Sequence, residues 1–218
     1  MATATDVLSM QDVLDRLGGV PLSRLRARPA PGEATEADLI AVNDSGTAIC
    51  ELVDGVLVEK PMGNRESLLA MSLGAMIRAF ARAHKLGFVT GEAGTMRLMP
   101  GLVRAPDVAF ISWERVPGRR VPTEPIPDLS PDLAIEVLSA SDTRAEMERK
   151  IGEYFASGTT FVWLVEPKTR TITIHDRDEP EARAFSGSDA IVLNKVLPGF
   201  RITPAEFFDE LDEQGPPN

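Results

Sequence analysis

A single cysteine, Cys50, removes intramolecular disulfides and cysteine-based zinc clusters from consideration and fits a reducing compartment. Histidine is nearly as scarce: His84 and His175 stand alone and offer no paired ligands for a metal. No stretch approaches the roughly 18–20 apolar residues that a membrane span requires, so no membrane partner is expected. The opening MATATDVLSMQDVLDRLGG has neither the basic start nor the continuous apolar core of a secretory signal, and the expected location is cytoplasmic. Positive charge is in deficit, with 23 Lys and Arg against 33 Asp and Glu and a net charge of −10. Proteins that grip nucleic acid over a wide surface show a basic face, because phosphate neutralisation dominates their affinity. Strong non-specific DNA binding is therefore disfavoured, while a small basic site on an acidic body stays compatible.

What is present suffices for one sizeable domain, with or without an extension: 218 residues, 43% hydrophobic and 26% charged. Residues 1–33 read as an N-terminal helical extension. In it Ser9 caps a short helix with Val13, Leu14 and Leu17 on its apolar side, and the extended connector PLSRLRARPAPGE follows. The domain itself covers 34–212, with a frayed tail over 213–218. Thr35 opens a Thr-x-x-Asp cap for a helix over TEADLIAVND. ICELVDGVLVEK reads as a hairpin with Asp54-Gly55 in a type I′ turn. MGNRESLLAMSLGAMIRAFARAHKLG carries the helical stripe Leu69, Leu73, Met76, Ile77 and Phe80, ended by Gly87. Strand patterns then run over GFVTGEAG, TMRLMP, PDVAFIS, DLAIEVLS, TFVWLVEP and RTITIHD, the last an edge-like strand with Ile172 and Ile174 inward. A helix separates DLAIEVLS from TFVWLVEP, and a final one is expected around 204–211. This order predicts an α/β (α+β) domain, a central mixed β-sheet flanked by helices.

The chemistry concentrates in SPDLAIEVLSASDTRAEMERKIGEYFASG, where an apolar strand holds one carboxylate, Glu136. Alternation puts Glu136 on the face of Ala134 and Leu138, and a charge inside a buried strand is costly unless paired or bound to a metal. A buried arginine partner would satisfy it equally well. Asp107 follows Pro106 at the start of another buried strand, a place an ordinary turn aspartate also takes. Glu66 projects into the stripe of Leu69 and Leu73, yet an acid in a helix's first turn also complements the macrodipole. Lys150 flanks the stripe of Met147, Ile151, Tyr154 and Phe155, where lysines commonly snorkel to water. Taken together, two strand-borne carboxylates can hold Mg²⁺ with water and a substrate phosphate completing its shell. A neighbouring lysine can orient the attacking water or neutralise developing charge. Arg97, Arg104, Arg115, Arg119, Arg120, Arg144 and Arg149 offer a phosphate-facing rim or an ordinary solvated surface.

These segments resemble the Uma2 restriction-endonuclease family (DUF820-like) of the PD-(D/E)xK nuclease superfamily. PDVAFIS, DLAIEVLSASDT and Lys150 with EYFASGTTFVWLVEP carry the likeness, and ELVDGVLVE with MGNRESLLA resembles the family's first hairpin and core helix. The resemblance covers roughly 35–208 and implies a restriction-endonuclease-like core. It implies a Mg²⁺ (or Mn²⁺)-dependent endonuclease that hydrolyses DNA phosphodiester bonds, working as a homodimer. By it, Asp107 and Glu136 correspond to the metal-binding acids and Lys150 to a catalytic lysine supplied by the following helix, since the usual lysine position holds Leu138. Glu66 stands where many members carry histidine, and Glu51 matches the hairpin acid. A catalytically inactive nuclease-fold protein, serving as an oligomeric or nucleic-acid-binding module, is the competing class. A hydrolase of small phosphate compounds is a third.

Overall fold

The helices begin where their cap residues stand. The computed structural model describes residues 9–61 and 63–214. Residues 1–8 of the expected extension and 215–218 of the expected tail lie outside the described residues. Ser9 and Thr35 each close a capping box, with Asp12 and Asp38, ahead of α1 (Met10–Arg16) and α2 (Glu36–Asp44). The hairpin follows as β1 (Cys50–Val53) and β2 (Val56–Glu59). Asp54 and Gly55 take φ of 51° and 74° between them, the two positive values a type I′ turn demands.

The long helix α3 (Asn64–Ala83) ends two residues before Lys85, which takes a left-handed φ of 55°. Gly87, expected to terminate this helix, instead begins β3 (Gly87–Gly91). A Cβ there would sit 2.0 Å from the Ile111 carbonyl oxygen, so the glycine serves close strand approach rather than a helix cap. β4 (Met96–Met99), β5 (Leu102–Arg104), β6 (Val108–Ser112) and β7 (Leu133–Val137) come next. After them stand α4 (Arg144–Ala156), β8 (Phe161–Glu166), β9 (Thr171–Asp176) and β10 (Arg183–Ser186). The pair β11 (Ile191–Val192) and β12 (Arg201–Ile202), then α5 (Pro204–Phe208) and a 3-10 turn over Asp209–Asp212, close the described chain. β5 and β10 were not apparent from sequence, being three and four residues long.

Two sheets organise the molecule. Six strands run in the order β10-β9-β8-β7-β6-β3, antiparallel except for the parallel pair β7 and β8 that α4 connects. β9 is therefore an inner strand and not the expected edge, because β10 pairs along it. The smaller sheet runs β2-β1-β5-β4. One face of the large sheet, with Val108, Phe110, Ile135 and Trp163, packs on Leu69, Leu73 and Ile77 of α3. Its other face, with Ala109, Ile111, Ala134 and Val162, packs on Val53, Val56, Val58 and Leu102 of the small sheet and on Tyr154 of α4. Leu39 of α2 covers the outer face of the small sheet through Cys50, Leu52, Leu57 and Val103. Trp163 is fully buried in the core that α3 covers.

The described part of the N-terminal segment packs on this frame. Leu17 and Val20 join the inter-sheet core, and Leu25 bridges Val58 beside β2. Thr143 donates its hydroxyl to the Gly18 carbonyl at 2.6 Å. Gly18 approaches α4 so closely that a Cβ would lie 2.6 Å from the Glu146 nitrogen. No described helix is long and apolar enough to cross a membrane.

Candidate active site

Strand register brings the two expected acids together. Val108 faces Ile135 and Ala109 faces Ala134 across β6 and β7, so one step further Asp107 stands beside Glu136. Alternation sends both side chains to the inter-sheet face. They are 5% and 4% exposed. Asp107 Oδ2 accepts the Val137 N–H at 2.7 Å, which pins this carboxylate to the neighbouring strand.

α4 supplies the next groups. Lys150 lies on the helix face of Met147 and Tyr154, so it points inward instead of snorkelling, and it is 3% exposed. Its ammonium donates to Glu136 Oε2 at 3.1 Å and lies 3.5 Å from Glu51 Oε2. Tyr154, read from sequence as part of an apolar stripe, donates its hydroxyl to Glu136 Oε1 at 2.7 Å.

Two further residues complete the cluster and were not singled out as members of it from sequence. Lys60 follows β2 directly and continues the buried face of Val56 and Val58. It donates to Asp107 Oδ1 at 2.8 Å and to the Ala105 carbonyl, and lies 4.0 Å from Glu136 Oε2. A lysine extending the apolar alternation of a buried strand was the available signal, of the same kind that marked Glu136. Arg104, expected as a rim residue, is 3% exposed and donates to Glu51 Oε2 at 2.6 Å and to Glu153 Oε2 at 2.8 Å. Arg97 and Arg115 are partly exposed and paired with Glu36 and Asp132. Arg144 is exposed beside Glu148.

Glu66 is placed differently. It is half-buried in the first turn of α3, with its carboxylate folded back over Gly63. It makes no hydrogen bond or ion pair to Asp107, Glu136, Lys60 or Lys150 among the described residues.

Burial and charge set the protonation of the cluster. Burial raises the Glu136 carboxyl, and although Lys150 and then Lys60 oppose this, the net shift is upward. For Glu51 burial acts in the same sense, yet Lys150 and Arg104 outweigh it and hold the carboxyl well below its ordinary range. A depressed acid contributes stability that is complete above its unfolded value and is lost as pH falls through the folded one. The share of stability that Glu51 contributes, read from urea midpoints, is therefore expected to hold from neutral pH down to about 4.5, its ordinary value, and to be lost below it, while the raised Glu136 carboxyl acts in the opposite sense as pH falls. Glu51→Gln should show a shallower acid decline, and an unchanged slope would count against this assignment.

The space left among Arg24, Lys60, Asp107, Glu136 and Lys150 measures about 10 Å³, at the lower limit for a single water. Arg24 closes one side, gripping both Glu146 oxygens at 2.9 Å. Asp107 also borders an open groove of about 320 Å³ between α3 and β3, lined by Ser67, Arg78 and Thr90.

A family profile, Uma2, described as "Putative restriction endonuclease", matches residues 37–205. No curated protein matches. Among solved structures, a protein from Anabaena variabilis described as a putative nuclease belonging to DUF820 superposes with a TM-score of 0.67. It is 19% identical, over 75% of this chain and 92% of that one, and at this identity the likeness speaks for the fold, which is restriction-endonuclease-like. With a profile match over most of its length, the chain belongs to the Uma2 family.

Proposed function

We propose that this protein is a metal-dependent endonuclease that hydrolyses DNA phosphodiester bonds, acting in the cytoplasm as a homodimer. The observation that carries the reading is the pair Asp107 and Glu136, buried side by side on adjacent strands with two lysines against them. Paired buried carboxylates are expensive for a fold to keep, which points to chemistry as their reason.

The donors suit a hard divalent cation in kind: two carboxylates, with the Ala105 carbonyl beside them. Among the described residues no cluster of three or more acid, histidine or cysteine ligands forms, so water and substrate phosphate would supply the rest of the shell. Mg²⁺ or Mn²⁺ held by Asp107 and Glu136 would stabilise charge on phosphorus and acidify the attacking water. The protein's own groups do the remainder. Val137 N–H and Tyr154 OH fix the orientation of the two carboxylates. Lys150, an ammonium beside two carboxylates, orients the nucleophilic water and balances charge on the phosphate. The groove bordered by Asp107 is the approach for the scissile phosphate, with Arg78 on its wall. Glu66 stays at the start of α3, where a carboxylate complements the helix dipole.

One observation favours a second reading, a catalytically inactive nuclease-fold module. Glu51, Asp107 and Glu136 are already matched by Lys60, Lys150 and Arg104, a balance that needs no metal. The readings separate in cleavage of plasmid, linear and single-stranded DNA with Mg²⁺ or Mn²⁺. Wild type should cut, and Asp107→Asn and Glu136→Gln should each lose about 10²-fold or more, as when a positioned electrostatic group is removed. Equal activity in wild type and both variants would remove the site, and a folded wild type without activity would leave the inactive module.

A further inference from the structure

We infer that Lys60 is a built-in cation standing in the place of the metal ion, so that a divalent ion reaches Asp107 and Glu136 only as the Lys60 ammonium leaves. The inference rests on the metal-dependent reading above and concerns how that site is occupied.

Among the two lysines of the cluster, only Lys60 touches Asp107. Its Nζ lies 2.8 Å from Asp107 Oδ1, 4.0 Å from Glu136 Oε2, and within hydrogen-bond reach of the Ala105 carbonyl. Two carboxylates and a main-chain carbonyl around one positive centre form the oxygen set a hard divalent cation selects. Lys150 sits differently, against Glu136 and Glu51. It can remain beside a bound ion without occupying the space between the acids. Lys60 cannot, because the space left is about 10 Å³ and a second cation would meet the ammonium at contact distance.

The backbone permits the exchange. Lys60 is the first residue after β2, its N–H donates to the Ile49 carbonyl at 2.8 Å, and Pro61 follows. The strand bonding stays in place while the four-carbon side chain swings, so releasing the ammonium breaks no sheet pairing. The exchange also explains a charge pattern that a site built for metal alone would lack. With Lys60 against Asp107 and Lys150 against Glu136, each acid of the pair has an ammonium partner.

Two measurements on the full-length protein test this. Calorimetric titration with Mn²⁺ should show Lys60→Gln binding at least about tenfold more tightly than wild type, since it removes the competing charge, with Lys60→Arg no tighter than wild type. On wild type itself, acylation by an N-hydroxysuccinimide ester, mapped by peptide mass spectrometry, should find Lys60 protected without metal and reactive at saturating Mn²⁺. Circular dichroism checks the fold of the variants, and the acylation result stands alone if Lys60→Gln does not fold. Mn²⁺ bound equally by wild type and Lys60→Gln, or Lys60 protected at saturation, overturns the Lys60 inference and leaves the metal-dependent reading intact. Mn²⁺ bound by neither overturns both.

Discussion

Arg104→Met should lower the stability of this protein by about 3–5 kcal/mol, the usual cost of removing one partner from a buried ion pair. Arg104 is 3% exposed and Glu51 is fully buried, so no water is available to replace the lost guanidinium. Glu51 would keep the Ala105 N–H at 3.0 Å and Lys150 at 3.5 Å, while Glu153 would keep Arg149 at 2.6 Å. The penalty falls on Glu51, whose charge then faces one lysine already shared with Glu136. Because the cost comes from an orphaned charge, the double variant Arg104→Met, Glu51→Leu should recover much of it. Urea denaturation of the four proteins in the cycle would measure this. A single variant within about 1 kcal/mol of wild type would show that Arg104 belongs to the surface reading its sequence first suggested, where ion pairs contribute little.

The other large effect concerns chemistry. Lys150→Met is expected to reduce DNA cleavage by about 10²–10³-fold, the range for removing a preorganised group from developing charge. DNA affinity should stay within a few fold, because Lys150 is 3% exposed and lies behind Glu136 instead of on the groove. Lys150→Arg keeps the charge but places a wider, planar head in a space of about 10 Å³, so it should rescue little. Single-turnover cleavage with a parallel filter-binding or anisotropy titration separates the two quantities. Losing affinity in proportion to rate would make Lys150 a binding group, and a folded variant cutting within tenfold of wild type would remove it from the mechanism.

Both predictions turn on contacts between residues far apart in the chain, which local sequence patterns do not encode. Elements set by neighbours within four residues were legible: the capping boxes of Ser9 and Thr35, the Asp54-Gly55 turn, the α3 stripe and the buried strands holding Val108 and Ile135. So were the two acids, because Pro106-Asp107 opens an apolar strand and Glu136 interrupts one. Whether β9 lay at an edge was not legible, since that depends on a four-residue strand pairing along it. Glu66 shows the limit of helical projection. Residues in a first turn share the angle of the stripe without reaching the core depth at which Leu69 and Leu73 are buried.

The sequence by itself determined the order of the longer helices and strands, the family, and a strand with a carboxylate facing inward. Periodicity and capping are local, and local interactions are written in consecutive residues. Only the tertiary structure decided what that carboxylate meets. Asp107 arrives by strand register, Lys60 from 47 residues before Asp107, Arg104 from the small sheet, and Lys150 from the helix linking two parallel strands. Each of these charges is costly to bury alone, and they are affordable only together, so their meaning lay in a convergence that no single stretch of chain contains.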